Sequence, residues 1–229
     1  WQYFPVPNAK NCLWADLDND GDNEIIFSTI NNGLYLFNAN EDGYYIPVPG
    51  AFQWLDAGDN STNRWLYGIS LTDYNKDGFL DLIVANYNSD NTNYAFINQQ
   101  GLNFTIDENA AVKYTYKSTF QPAAIDLNHD MNADLYFAND FEQGNDFFYN
   151  HLDSLGQNTW TVASEETGLN IAINSMCNSW CDFDNDQDLD VYVSNLEPGN
   201  KLMRNNGNNF FENIADSIDL AVHRQSWSS

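Results

Sequence analysis

A nine-residue acidic segment, present in four copies, constrains the fold of this chain more than any other feature of its sequence. In the copy at residues 182–190, an oxygen-bearing side chain stands at positions 1, 3, 5 and 9. The other copies are residues 16–24, 73–81 and 126–134. This spacing lets a short loop surround one hard cation with oxygen ligands, and calcium prefers such ligands. The sequence therefore predicts four calcium-binding loops.

The density of charge in these loops also favours a bound cation over a solvated acidic surface. Two carboxylates held about 5 Å apart repel each other by roughly 3 kcal/mol at an effective dielectric constant near 20. Blocks of like charge are typical of disordered tails, but a tail does not repeat one nine-residue pattern four times. The candidate ligands at positions 1, 3, 5 and 9 are Asp16, Asp18, Asp20 and Glu24; Asp73, Asn75, Asp77 and Asp81; Asp126, Asn128, Asp130 and Asp134; and Asp182, Asp184, Asp186 and Asp190.

The residues that follow each loop exclude an EF-hand. An EF-hand requires a bidentate glutamate at position 12 and a helix that leaves the loop. Position 12 is occupied here by Phe27, Val84, Phe137 and Val193. These residues lie in β-branched and aromatic runs, which predict strands. Each loop is therefore expected to join one strand to another.

Composition and charge limit the possible partners. The chain has 229 residues, 43% of them hydrophobic, and a formal net charge of −25. About half of its 33 acidic residues lie in the four loops, so four calcium ions would still leave the chain strongly acidic. Such a charge argues against binding to nucleic acid or to anionic membrane surfaces. The sequence has no apolar run of the roughly 20 residues that a spanning helix needs, so no membrane insertion is expected.

The three cysteines, Cys12, Cys177 and Cys181, do not form the framework of a disulfide-rich domain. If Cys177 and Cys181 share one strand, their Cα atoms lie about 13 Å apart, which is too far for a disulfide. We predict that the cysteines are small buried apolar residues. A disulfide from Cys12 to either of the other two is the alternative.

The similarity between copies extends beyond the loops. The first aspartates recur every 53 to 57 residues, and each exit strand is followed by a second strand that ends on an asparagine: Asn38, Asn98, Asn150 or Asn205. A strand rich in aromatic residues follows, and no amphipathic helix intervenes. Such units bury their faces when they are arranged radially, so we predict an all-β fold, a β-propeller of about four blades. A β-sandwich, the alternative, would not require one loop at a fixed interval.

The whole chain, residues 1–229, is expected to form this propeller. Trp14, Trp180 and Trp227 share one repeat position and are predicted to be core residues. The predicted repeat units are residues 5–57, 58–113, 114–168 and 169–221, with the start of a fifth unit at 222–229.

Residues 182–195 together with 200–210 resemble the FG-GAP/VCBS repeat, in which a D-x-D-N-D-G-x-x-D loop and a strand precede N-x-L-Y-x-N-x-G-x-x-F. The resemblance covers almost the whole chain in four copies. It implies the calcium-binding β-propeller of integrin α-subunit heads and of many bacterial secreted or surface proteins. It also implies that the backbone carbonyl at position 7 binds the metal. The residues at that position are Asp22, Phe79, Asn132 and Asp188.

Two departures from the family pattern concern the strength of the sites. Position 6 is Gly21 or Gly78 in the first two loops but Met131 or Gln187 in the last two. A left-handed turn at that position costs a residue other than glycine about 1 kcal/mol or more. Because Asn128 also replaces a carboxylate, we predict up to four calcium ions with the third site the weakest.

The number of units indicates that this sequence is part of a longer chain. The repeats that it resembles usually close into a ring of about seven blades, whereas four units are present here. The sequence starts at Trp1 rather than at an initiator methionine and ends as a fifth unit begins. We therefore expect a segment of a larger propeller, with a complete four-bladed ring as the alternative.

Catalytic motifs are not evident. The three histidines, His129, His151 and His223, are scattered, and the sequence contains no G-x-S-x-G, P-loop or H-E-x-x-H motif. We expect a secreted or cell-surface adhesion or recognition module that binds an extracellular protein or glycan, with calcium in a structural role. A structural scaffold within a larger surface protein and a polysaccharide-active lyase or hydrolase are the alternatives.

Overall fold

The computed structural model of the chain describes residues 2–53, 64–88, 92–196 and 199–221. These residues form sixteen β-strands in four sheets, and each sheet has four antiparallel strands. Helical structure in the described ranges is limited to two four-residue 3-10 helices. The predicted all-β fold of four-stranded, blade-like sheets is therefore confirmed.

The strands of each sheet are consecutive in the chain. The first sheet contains β1 (Ala9–Ala15), β2 (Glu24–Thr29), β3 (Leu34–Ala39) and β4 (Tyr45–Pro47). The second contains β5 (Leu66–Thr72), β6 (Asp81–Asn86), β7 (Tyr94–Asn98) and β8 (Phe104–Ile106), and the 3-10 helix Ala111–Tyr114 follows it. The third contains β9 (Thr119–Ile125), β10 (Asp134–Asn139), β11 (Asp146–Leu152) and β12 (Asn158–Val162). The fourth contains β13 (Ser175–Cys181), β14 (Asp190–Asn195), β15 (Lys201–Asn205) and β16 (Phe211–Asn213), followed by the 3-10 helix Ala215–Ile218.

Every sheet is a meander in which neighbours in sequence pair with each other. The four acidic loops connect the first strand to the second strand of each sheet, and position 9 of the loop is the first residue of the second strand. Each group of four strands lies within one of the predicted repeat units. The predicted start of a fifth unit, residues 222–229, lies outside the described residues.

The second strand is the most deeply buried part of a sheet. All six residues of β6 and all six of β10 are buried. Runs such as Leu82 to Ala85 are apolar without alternation, which is typical of a strand that is covered on both faces. The strand that leaves each loop is thus fixed by packing on two sides.

The chain divides into two compact units, Trp1–Tyr116 and Lys117–Ser229. Each unit holds two sheets and one cluster of buried side chains. In the first unit the cluster includes Ile26, Leu34, Leu82 and Phe96. In the second it includes Tyr136, Phe147, Val191 and Met203.

The pairing of the first and second strands is interrupted at the same place in every sheet. The register shifts between Ala9 and Asn11, between Leu66 and Ile69, opposite Ala138 and Asn139, and between Ser175 and Cys177. A repeated bulge bends the edge strand and increases its twist. The repeats therefore share local backbone structure as well as sequence.

The prediction that the repeated tryptophans are core residues was wrong for Trp14. Trp14 is 65% exposed, because Leu13 and Ala15 pack against the core of the first unit and the alternation of a strand directs Trp14 to the other face. Trp180 is half-buried and packs against the core of the second unit, with its ring 5.3 Å from that of Tyr136. Trp227 lies outside the described residues.

The cysteines are not buried either. Cys12 and Cys181 are exposed and Cys177 is half-buried, because all three lie on edge strands rather than on the buried second strands. None of the three forms a disulfide. Within the described ranges, no helix is long and apolar enough to cross a membrane.

A pair of asparagines closes the turn after the second strand in three of the sheets. The backbone N–H of Asn139 donates to Oδ1 of Asn145 at 2.8 Å, and the Asn145 amide donates to the Tyr136 hydroxyl. Equivalent 2.8 Å bonds join Asn86 to Asn93 and Asn195 to Asn200. All of these asparagines are buried, so the side-chain amide replaces the water that the backbone would otherwise require.

We expect Asn145→Ala to lower the free energy of unfolding by about 1–3 kcal/mol, because the buried N–H of Asn139 loses its acceptor. Urea titration followed by circular dichroism measures this change. Asn208→Ala, at an exposed position, is the control, with an expected change within about 0.5 kcal/mol. Equal losses in the two variants would contradict this role for the asparagine pair.

Candidate metal centres in the acidic loops

The four loops share one backbone conformation around the carboxylate at position 1. In each loop this carboxylate accepts a hydrogen bond from the backbone N–H of position 6. The bonds are Gly21 to Asp16 at 3.1 Å, Gly78 to Asp73 at 2.9 Å, Met131 to Asp126 at 2.9 Å and Gln187 to Asp182 at 3.0 Å. The loop therefore curls around its first aspartate.

The carboxylate at position 5 is held in a similar way. It accepts the backbone N–H of position 7, as in the bond of 2.8 Å from Asp22 to Asp20. The equivalent bonds run from Phe79 to Asp77 at 3.0 Å, from Asn132 to Asp130 at 2.8 Å and from Asp188 to Asp186 at 3.0 Å. Backbone donors thus direct the carboxylates of positions 1 and 5 towards the inside of the turn.

The left-handed turn predicted at position 6 is present in all four loops. The φ angle is 95° at Gly21, 92° at Gly78, 67° at Met131 and 77° at Gln187. Met131 and Gln187 therefore carry the strain that glycine avoids. That the third site is the weakest stays a prediction.

The carboxylate at position 9 is completely buried in every loop, with 0% exposure of Glu24, Asp81, Asp134 and Asp190. One of its oxygens accepts the backbone N–H of position 2, at distances from 2.8 Å at Leu17 to 3.2 Å at Tyr74. The strand thus begins with a negative charge that is removed from water.

The repeated asparagines at the ends of the third strands have a role that sequence reasoning missed. In the last three loops, the second oxygen of the position 9 aspartate accepts a backbone N–H from one of them. These bonds come from Asn98 and Asn150 at 2.9 Å and from Asn205 at 2.8 Å. Their recurrence 23 to 25 residues after the first aspartate of the loop was the pattern that could have revealed it.

Burial makes these carboxylates hard to ionise. Desolvation raises the pKa of Glu24 to about 7, that of Asp81 to about 7 and that of Asp134 to about 6. The nearby loop carboxylates contribute to each of these shifts, and desolvation also raises the pKa of Asp190. A cation beside these groups would favour their charged form and offset the cost of burial.

The first loop has the strongest chemical demand for a cation. Oδ1 of Asp16, Oδ1 of Asp18 and Oε1 of Glu24 are buried and accept no hydrogen bond. Candidate ligand atoms of these three residues lie within 4.8 Å of one another. A hard divalent cation fits this set because it would contact several anionic oxygens that have no protein donor.

The other loops differ in how their carboxylates are arranged. Among the described residues, the fourth loop holds a second group of three carboxylates. Candidate ligand atoms of Asp182, Asp184 and Asp190 lie within 4.8 Å of one another. In the second and third loops, position 3 is an asparagine whose amide donates to the position 5 carboxylate at 3.2 Å. The third loop retains one buried oxygen without a donor, Oδ1 of Asn132. Metal binding by the remaining predicted ligands stays a prediction.

A cavity of about 240 Å³ in the first unit is the other candidate site. Its lining includes Arg64, Tyr94, Ile106 and Asp107, and the Arg64 guanidinium lies 5.8 Å from the centre of the Tyr94 ring. Asp107 accepts a hydrogen bond of 3.2 Å from the hydroxyl of Tyr74, which is position 2 of the second loop. The cavity therefore combines aromatic, cationic and anionic groups and is linked to a loop.

Comparisons with known proteins agree with this architecture. The sequence profile of the FG-GAP-like repeat matches residues 16–84 and 73–137, which together span more than half of the chain. Cartilage acidic protein 1 of Xenopus tropicalis is 29% identical in an alignment of 87 positions that covers 35% of this chain and 13% of that protein.

Two solved structures are similar in fold. The structure of an Agrocybe aegerita lectin, described as specifically recognising non-reducing terminal N-acetylglucosamine, aligns with a TM-score of 0.53 at 15% identity. It covers 97% of this chain and 55% of the lectin chain. BBS1N in complex with ARL6DN aligns with a TM-score of 0.50 at 12% identity, over 90% of this chain and 56% of the other. This chain thus spans little more than half of either structure.

We expect the ion-free protein to lose stability as the pH rises. The folded-state pKa values of Glu24, Asp81 and Asp134 are raised, so folding takes up protons and the stabilisation is complete only below the unfolded-state values. It is lost as the pH rises through about 7. Calorimetric melting in chelator should give a lower melting temperature at pH 8 than at pH 5. Glu24→Gln should reduce the difference in melting temperature between pH 5 and pH 8, whereas Glu41→Gln, at an exposed site, should not. A melting temperature that rises with pH would contradict the raised pKa values of these carboxyl groups.

Proposed function

Because the chain belongs to the FG-GAP-like repeat family, we propose that it is a calcium-binding β-propeller module that recognises an extracellular protein or glycan. The observation that carries the calcium assignment is the set of three buried carboxylate oxygens in the first loop that accept no hydrogen bond. The family resemblance supports calcium as the ion. Secretion or display at the cell surface is part of the same proposal.

The ligand chemistry favours calcium over other common metals. The candidate ligand groups of the first and fourth loops consist of carboxylates, without a cysteine thiolate or a histidine imidazole. Calcium accepts six to eight oxygen ligands in flexible geometry, whereas magnesium requires a near-ideal octahedron and retains water. Asp16, Asp18 and Glu24 would hold the ion, and its charge would offset the burial of Glu24.

The chain's own residues explain why such an ion would be structural. Glu24 is both a candidate ligand and the first residue of β2, and its second oxygen holds the backbone N–H of Leu17. Leu17 is itself buried in the core of the first unit. A ligand of the loop is thereby tied to the strand and to the core, so ion binding would stabilise the folded state by mass action.

The recognition role has weaker but independent support. The fold is similar to that of the Agrocybe aegerita lectin, a protein that recognises non-reducing terminal N-acetylglucosamine, and this similarity supports a glycan as the ligand. The cavity beside Arg64 and Tyr94 supplies an aromatic ring together with charged groups, which is chemistry suited to a sugar or a short peptide. We propose this cavity as the candidate recognition site.

We propose binding rather than catalysis. His129 is position 4 of the third loop, and the Nδ1 atom of His151 lies 3.6 Å from Oδ2 of Asp130 in the same loop. Both histidines thus belong to the surroundings of a candidate metal loop. A non-binding scaffold and a polysaccharide-active enzyme are the alternatives to be tested.

We expect calcium to raise the melting temperature of chelator-treated protein. One saturated site at 100 times its dissociation constant contributes about 2.7 kcal/mol, which corresponds to roughly 5–10 °C for a domain of this size. Scanning fluorimetry in calcium and in chelator measures the shift. Glu24→Gln should remove a large part of it and Glu41→Gln should leave it intact, whereas equal melting temperatures of the wild type in calcium and chelator would refute calcium binding.

If the cavity is the recognition site, a ligand should bind the wild type but not a variant altered in the cavity. Glycan arrays and affinity capture from extracellular material, each in calcium and in chelator, test this. Tyr94→Ala should abolish ligand binding. Tyr44→Ala, at an exposed site outside the cavity, should retain it. Melting temperatures confirm that both variants are folded. Absence of any ligand would favour a scaffold, and release of reducing ends from acidic polysaccharides would reveal an enzyme.

A further inference from the structure

The first and second loops can be compared directly because both lie in the first compact unit. Their backbones are alike: in each, position 1 accepts the N–H of position 6 and position 5 accepts the N–H of position 7. Among the side-chain ligand positions 1, 3, 5 and 9, the two loops differ at positions 3 and 9. Position 3 is Asp18 in the first loop and Asn75 in the second, and position 9 is Glu24 in the first and Asp81 in the second.

In the first loop, the protein leaves a negative charge without enough donors. Glu24 has 0% exposure, and its Oε2 atom accepts the N–H of Leu17 at 2.8 Å. Its Oε1 atom is buried and accepts no hydrogen bond. One carboxylate oxygen of Glu24 lies within 4.8 Å of carboxylate oxygens of Asp16 and Asp18. Each of those aspartates also has a buried oxygen without a donor. An unpartnered buried group is destabilising, and more so when it is charged.

In the second loop, the protein supplies the missing donors. The Asn75 amide donates to Oδ2 of Asp77 at 3.2 Å, and Oδ1 of Asn75 accepts the Asp77 N–H at 2.9 Å. Both oxygens of Asp73 accept backbone N–H groups, at 3.1 and 2.9 Å. Asp81 is held by Tyr74 through one oxygen and by Asn98 through the other. An amide thus takes the place of a cation between positions 3 and 5.

The longer side chain at position 9 accounts for part of this contrast. An aspartate at that position, as in Asp81, has both oxygens within reach of backbone donors. Glu24 carries one additional methylene group and keeps only the bond from Leu17. Its other oxygen, Oε1, is left without a donor, in a side chain that belongs to one carboxylate group with Asp16 and Asp18.

We infer that the first loop is an ion-dependent, high-affinity calcium site, whereas the second loop forms the same turn without an ion. This inference rests on the proposed calcium binding. It assigns one tightly bound ion to the two loops of the first unit in place of the two that the sequence pattern predicts.

The second loop also supports the first. Asn98, whose N–H holds Asp81, donates its side-chain amide to the carbonyl of Leu17 at 2.8 Å. The amide of Asn19 donates to the carbonyl of Gly78 at 3.0 Å. Since Leu17 in turn holds Glu24, a turn that is formed without an ion positions a ligand of the ion-dependent loop.

A reciprocal exchange at position 3 tests the inference. Asp18→Asn gives the first loop the amide of the second, and Asn75→Asp gives the second loop the carboxylate of the first. The full chain, freed of metal, is titrated with calcium by calorimetry in competition with a chelator of known affinity. We expect Asp18→Asn to bind one fewer tight ion and to melt at a higher temperature than the wild type in chelator. We expect Asn75→Asp to bind one more tight ion and to melt at a lower temperature in chelator.

The control is Asp42→Asn, which removes the same charge at an exposed position outside the loops and should change neither quantity. Melting in saturating calcium confirms that each variant folds. Suppose that the wild type binds calcium but the number of tight ions in the variants is unchanged or changes in the opposite direction. This result would overturn the inference and leave the proposed function standing. Wild-type protein that binds no calcium would instead overturn the proposed function on which it rests.

Discussion

A fully buried carboxylate at the start of the second strand is the constraint on which the rest of each sheet depends. The effective penalty for moving a charge of this kind out of water is several kcal/mol, so it must be met by hydrogen-bond donors, by a proton or by a cation. Glu24 and Asp81 begin strands that are packed into the core of the first unit, and neither can turn towards solvent without breaking the strand. The loop before the strand is therefore shaped to supply positive or polar partners to this one group.

The loops meet that requirement in different ways. Backbone N–H groups satisfy one oxygen in every case, and the repeated asparagines satisfy the other in the last three loops, as Asn150 does for Asp134. The first loop lacks this second donor and gathers oxygens without partners. A repeat can thus keep one backbone conformation while its dependence on an ion changes from copy to copy, because hydrogen bonds within the loop can replace metal–oxygen contacts.

Much of this arrangement could be predicted from residue order. The spacing of the aspartates predicted the loops, and the β-branched runs after them predicted the second strands, because both depend on contacts within a few residues. Three features could not be predicted in this way. The side-chain bond from Asn98 to the carbonyl of Leu17 depends on two loops meeting. The exposure of Trp14 depends on which face of its sheet is covered, and the exposure of Cys12 depends on its lying on an edge strand.

The sequence by itself determined the repeat, the strand–loop–strand order and the positions of the acidic groups, since these follow from local periodicity and the geometry of a short loop. Only the tertiary structure decided which carboxylates are deprived of water and which still lack a donor. Glu24 and Asp81 are equivalent in the sequence pattern, yet the packing around them leaves one with an oxygen that has no donor and gives the other two donors. Burial and long-range hydrogen bonds arise when distant segments pack together, so the difference between glutamate and aspartate at this position did not by itself show which donors would reach each carboxylate.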